Sequence, residues 1–171
     1  MLIDPEINME TKLFFALRKA KAISDYQFGQ SITDILFEDE NEIRFEFSKK
    51  TSKIKHVYYK DKLLLNLKPT NGFFTLSLFS AEKIIKNIPV PKLRGIVMNE
   101  ISDFIKIGRN VFCKHITDID DNLRPSDEII VVNQEDEILA IGKLVIPVPY
   151  VRSFNTGVAI KVRKGVGKSK L

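Results

Sequence analysis

Between residues 43 and 78, four strand-length runs, IRFEF, IKHVYY, KLLLNL and FFTLSLF, follow one another with only short segments between them. Aromatic and branched residues dominate each run, the composition of a pleated, half-buried surface. Turn signals lie at Lys49–Lys53, Lys60–Asp61 and Pro69–Gly72. Connections this short join antiparallel neighbours, because a parallel pair needs a crossover of about a dozen residues or more. An antiparallel meander is therefore predicted.

Elements flank the meander on both sides. From Glu10, the residues Leu13, Phe14, Leu17 and Ala20 recur at helical spacing, with Lys12, Arg18, Lys19 and Lys21 between them. The spacing predicts a helix over 10–23 and a short second one over 31–36, separated by Gly29; residues 1–9 carry no pattern. The basic helix face reads as solvated surface. LFFALRK at 13–19 and NGFFTLS at 71–77 suit either a core or an interface, and core is the expectation for both. After the meander, SAEKIIKN at 80–87 predicts a helix with Ser80 as its N-cap. IPVPK at 88–92 then interrupts regular structure with two prolines, as a stiff extended linker. That break divides the chain into domains 1–90 and 91–171.

The second part reads as a strand near Gly95–Met98, a helix near Glu100–Lys106 ended by Gly108, and a strand VFCKHI at 111–116. An acidic loop, DIDDNLRPSDE, leads into EIIVVN, EILAIGKLVI and GVAIKV, with NQED as a hairpin loop. A small closed all-β barrel with one or two short helices leaves few exposed edges. The fold class is α+β: a small antiparallel-sheet α/β domain followed by a pseudo-β-barrel with short helices.

Composition closes off several functions. With 171 residues there is ample chain for a core. Cys113 is the only cysteine, which excludes an internal disulfide and a Cys-rich zinc site; in VFCK it reads as a small buried hydrophobe. No HExxH, Walker loop, GxSxG or GxGxxG occurs. His56 and His115 lack metal-ligand neighbours at familiar spacing, and Asp118, Asp120 and Asp121 read as a solvated turn without the Gly and Glu of an EF-hand. No catalytic residue, metal or cofactor is expected. The N-terminus lacks a signal peptide's apolar core and no run is long enough to span a bilayer, so the expected location is the cytoplasm, with no membrane partner.

Binding chemistry is more visible. No acidic residue follows Glu137, whereas Lys143, Arg152, Lys161, Arg163, Lys164, Lys168 and Lys170 do. In GVAIKVRK an apolar face alternates with Lys161, Arg163 and Lys164, which suits a phosphate backbone or, equally, a core strand with solvated cations. Gly108, Arg109 and Asn110 join a helix to a strand, where glycine admits close approach and arginine offers a fork for phosphate. A helix cap with a surface arginine fits the same residues. Lys114 follows on the next strand.

The residues IGRNVFCKHI, LRPSDEIIVVN, ILAIGKLVI and GVAIKVRKG, in that order across 94–166, resemble the PUA domain, a small RNA-binding barrel of pseudouridine synthases and archaeal transglycosylases. Upstream, SDYQFG at 24–29 and KIKHVYYKDKLLLNLKPTNGFFTLS at 53–77 are similar to the domain that precedes PUA in archaeosine tRNA-guanine transglycosylases, with Asn71 where that family has Asp. The resemblance implies an archaeal, non-catalytic tRNA-binding protein. In this family the C-terminal domains hold tRNA while a zinc-bearing barrel exchanges a D-loop guanine for preQ0. The chain then looks like the tRNA-holding part made as a separate subunit, with a catalytic transglycosylase chain as partner. The alternative is a stand-alone PUA protein serving another tRNA, rRNA or ribosome-related system. By position, the acceptor stem and 3′ end of tRNA would meet Gly108, Arg109, Asn110 and Lys114, then Lys161, Arg163 and Lys164, with Lys143 beside them. Thr156 stands where the family has a basic residue.

Overall fold

The computed structural model describes residues 5–167. Residues 1–4, and Lys168 and Lys170 of the basic tail, lie outside them. The described chain forms two compact units, one up to Ser80 and one from Ala81.

The first unit opens with α1 (Pro5–Phe28), longer at both ends than its periodicity predicts. At its N-terminal end the helix is described from Pro5 onward. At the other end, buried Ser24 accepts a 2.8 Å hydrogen bond from Thr33 Oγ1 of α2 (Gln30–Leu36). Gln27 clamps the backbone of Phe74: its Oε1 accepts from Phe74 N at 2.6 Å and its Nε2 donates to Phe74 O at 3.1 Å. Local periodicity carries no trace of a partner 47 residues away. The packed line of α1 is Ala16, Ala20, Ser24 and Phe28. Leu13, Phe14 and Phe15 are 41%, 56% and 60% exposed, which corrects the expectation that this stretch is core.

The meander forms as predicted. Strands β1 (Ile43–Phe47), β2 (Ile54–Tyr59), β3 (Lys62–Leu67) and β4 (Phe74–Leu76) make one antiparallel sheet in sequence order. The fourth strand stops at Leu76 because Ser77 begins the cap of α3 (Leu78–Asn87). Ser77 Oγ accepts from Ser80 N at 3.0 Å, and Ser80 Oγ accepts from Ser77 N at 2.8 Å. Ser77 is thus the N-cap and Ser80 its reciprocal partner, a correction to the assignment of Ser80. Phe74 and Leu76 are buried, whereas Phe73 points outward.

The second unit holds β5 (Arg94–Val97), α4 (Ser102–Lys106), β6 (Val111–Phe112), β7 (Ile116–Ile119), β8 (Glu128–Val132), β9 (Ile138–Leu144), α5 (Val148–Ser153) and β10 (Val158–Gly165). Its six-stranded sheet, ordered β6-β10-β9-β8-β5-β7, curls into a nearly closed pseudo-barrel. Every residue of β8 is buried, as its central position demands. VFCKHI is two strands rather than one: a 3₁₀ turn over Cys113–His115 separates β6 from β7. His115 O accepts from Met98 N at 3.0 Å, tying that turn to the end of β5. Cys113 is buried as expected, and desolvation raises its thiol pKa. IPVPK is folded rather than extended, with Lys92 N donating to Pro89 O at 3.2 Å and Arg94 N to Pro91 O at 2.9 Å.

Two features of this unit have no counterpart in the sequence reading. Helix α5 follows β9 directly, started by Pro147 and Pro149. Arg94 is fully buried and makes five hydrogen bonds, two to the Asp136 carboxylate and three to the carbonyls of Ile85, Ile88 and Lys92. The acidic loop also proves structural. Asp120 is buried and accepts from Leu93 N at 2.7 Å, while Asp118 and Asp121 both pair with Arg152.

Candidate nucleic-acid interface

The end of α4 sets the geometry of the first group of candidate residues. Gly108 has φ of 95°, a conformation that suits glycine, and its N–H donates to Ile105 O at 2.9 Å. Arg109 N donates to Phe104 O at 3.1 Å. These paired bonds form a Schellman cap. Gly108 therefore ends the helix, and Arg109 leaves it with an exposed guanidinium that has no hydrogen bond or ion pair among the described residues.

The same junction is fastened to the last strand. Asn110 Oδ1 accepts from Val162 N of β10 at 3.0 Å, and β6 then pairs with β10 from Val111 onward. Gly165 lies so close to α4 that a Cβ there would sit 2.0 Å from Lys106 O. Gly167 N donates to the same carbonyl at 2.9 Å. Two stretches 50 residues apart in the chain, the glycine-bearing junction and β10, thus share one surface.

Across the sheet the cations sort into two kinds. In register, Glu128 of β8 faces Lys143 of β9, and Lys143 faces Lys161 of β10. Lys143 and Lys161 are exposed, directly opposed, and without a carboxylate partner among the described residues. Like charges in that position destabilise a sheet, so the pair favours any anion that lies across it. Arg163 differs. Its guanidinium makes a bidentate pair with the buried carboxylate of Glu128, at 2.8 and 2.6 Å. A charge-assisted fork of this kind is already occupied, which gives Arg163 a role in locking β10 to β8. Lys164 is exposed after an irregularity in the β9–β10 register. Lys114 is exposed on the 3₁₀ turn beyond β6. Among the described residues no group of three or more His, Cys, Asp or Glu side chains is placed to hold a metal ion. No helix among them is long and apolar enough to cross a membrane.

Sequence reasoning passed over a second cationic surface, in the first unit. Lys50 and Lys53 stand there as turn residues, yet they line a large cleft with Lys19, Lys55 and Lys68. The only local signal is the density of lysine in KKTSKIK at 49–55.

Comparison with known proteins gives this arrangement a context. Residues 18–91 match the family model of the patch-forming domain C2 of tRNA-guanine transglycosylase, and residues 94–166 match that of the PUA domain. The chain is 40% identical over 152 residues to the tRNA-guanine(15) transglycosylase of Methanobrevibacter smithii, covering 89% of this chain and 23% of that protein. Against the enzyme of the same name from Methanosphaera stadtmanae it is 36% identical, covering 95% of this chain and 24% of that one. The chain therefore spans about a quarter of the length of these relatives. Among solved structures, a hypothetical protein of Pyrococcus horikoshii superposes with a TM-score of 0.72 at 20% identity, covering 91% of this chain and 92% of its own. A PUA domain protein of Thermoplasma acidophilum gives 0.53 at 19% identity over 66% of this chain and 70% of its own. These two likenesses are likenesses of fold.

Proposed function

We propose that this chain, a C2 patch-forming domain of the tRNA-guanine transglycosylase family followed by a PUA domain, grips tRNA for base exchange carried out elsewhere. The grip lies on the second unit. Lys143 and Lys161 take up phosphates, Arg109 supplies a fork beside them, and Asn110 fixes the junction that carries Arg109 to β10. Gly108 serves by ending α4 where it does. Lys114 and Lys164 extend the cationic surface, while Arg163 holds the sheet beneath it. The RNA is the acceptor stem and 3′ end of tRNA, and a transglycosylase barrel on a partner chain replaces the D-loop guanine. A-form RNA is met through phosphates, 2′-hydroxyls and shape, which requires cations and backbone groups more than base-specific side chains.

The observation that carries this reading is the pair of opposed, exposed lysines, one of them on the strand to which Asn110 fastens the junction of the uncommitted Arg109. Binding of the chain to tRNA, measured by fluorescence anisotropy, tests it. The triple variant Arg109→Ala/Lys143→Ala/Lys161→Ala should bind at least about tenfold more weakly, and its dependence of log K on log salt should be shallower by about 3. Arg163→Ala should instead lower the melting temperature. Equal tRNA affinity in the triple variant would overturn the assignment of this face. For the partner, adding the chain to a catalytic transglycosylase barrel should lower the KM for tRNA, and an unchanged KM would remove the subunit role.

A further inference from the structure

The first unit contains a cleft of about 720 Å³ between the β1–β2 turn, β2, the end of β3 and the turn that follows it. Its size falls within the roughly 300–1,000 Å³ of ordinary ligand sites. Its walls carry Lys19, Lys50, Lys53, Lys55 and Lys68 and no carboxylate. Lys55 is held by Glu46 at 3.2 Å, whereas Lys19, Lys50 and Lys53 have no ion pair among the described residues. Cations gathered around a concavity call for an anion with more than one charge.

The rest of the cleft is not that of a simple phosphate site. Ile54, Leu67 and Pro69 give it apolar walls. Beside them His56 Nδ1 is hydrogen-bonded to Asn66 Oδ1. His56 Nε2 and the Asn66 amide nitrogen have no hydrogen-bond partner among the described residues. A planar heterocycle has apolar faces and an edge of alternating donors and acceptors, and a sugar-phosphate strand supplies the charges on either side. From this combination we infer that the cleft takes one unpaired nucleotide of an RNA strand. Its base sits against the apolar walls with its edge toward His56 and Asn66, and its flanking phosphates meet Lys19, Lys50 and Lys53. The inference stands on the first unit alone and does not rest on the tRNA grip of the second.

The test uses the full chain and three probes: a fluorescent single-stranded uridylate hexamer, the same hexamer with abasic sugars, and a blunt RNA duplex. The cleft variant Lys19→Ala/Lys50→Ala/Lys53→Ala should bind the hexamer at least about tenfold more weakly, with an unchanged melting temperature. His56→Ala/Asn66→Ala should weaken the hexamer and leave the abasic strand unaffected. To the unmodified protein, the abasic strand should bind at least about fivefold more weakly than the hexamer. The Arg109→Ala/Lys143→Ala/Lys161→Ala variant should lose the duplex and keep the hexamer. An unchanged hexamer affinity in the cleft variant overturns the inference whatever the duplex does. Equal binding of abasic and intact strands overturns it too, by reducing the cleft to a phosphate site. Unchanged duplex binding in the Arg109→Ala/Lys143→Ala/Lys161→Ala variant counts against the barrel grip and not against the cleft.

Discussion

At the scale of single residues, identical chemistry has split into opposite roles. Arg94 and Arg163 look alike in the sequence, each a cation in or beside an apolar strand, and Arg109 looks no different. Arg94 is wholly enclosed and satisfied by one carboxylate and three carbonyls, so it joins the 133–136 loop to the end of α3. Removing Arg94 leaves three carbonyls and the part-exposed Asp136 without their donor, and an unsatisfied buried group costs about 1–3 kcal/mol. Arg94→Met should therefore lower stability by about that amount in urea denaturation, with loss well above that of a surface arginine such as Arg109→Met. Which arginine is structural was not legible in the sequence, because Asp136 and Glu128 lie 42 and 35 residues from their partners. The lone cysteine was legible. Its apolar neighbours Val111 and Phe112 foretold burial, and burial is what raises its thiol.

At the scale of elements, the periodic signals located segments well and their ends poorly. The four runs of the meander all became strands in the expected order. The helix α1 ran past its apolar stripe because Gln27 and Ser24 find partners on other elements, and its packed face uses small residues in place of Leu13 and Phe14. VFCKHI divided because the chain must turn from one edge of the sheet to the other, and a 3₁₀ turn accomplishes that in three residues. The α4–β10 contact was equally hidden: nothing local to Gly165 announces a carbonyl from Lys106 above it. Gly165→Ala should push α4 from the strand and cost about 1–3 kcal/mol of stability by thermal melting, as other overpacked sites do. The same change should weaken tRNA binding by displacing Arg109, an effect that a purely structural glycine far from the interface would not produce.

At the scale of the whole molecule, the barrel was legible, and the pairing that closes it was not. Sequence spacing gives no sign that β5 pairs parallel with β8 in a sheet otherwise antiparallel. The candidate interface was half legible: the basic strand and the glycine junction were both apparent, but their meeting depends on the β6–β10 pairing and on Asn110. On the proposed function, the cations that follow Glu137 predict a strong dependence of tRNA affinity on ionic strength. With several phosphates neutralised, tRNA affinity should fall by about 10³ or more between 50 and 200 mM salt, measured as a salt series on the unmodified chain. A flat response would mean that the cations are surface ornament to a different partner. The opposed Lys143 and Lys161 bear on that comparison in a further way. Their mutual repulsion is a small load that the empty barrel must carry, and an occupant that straddles both ammoniums removes it. On the proposed grip, recognition and integrity reinforce each other: a barrel with RNA phosphates laid across this pair would be sturdier than one without them.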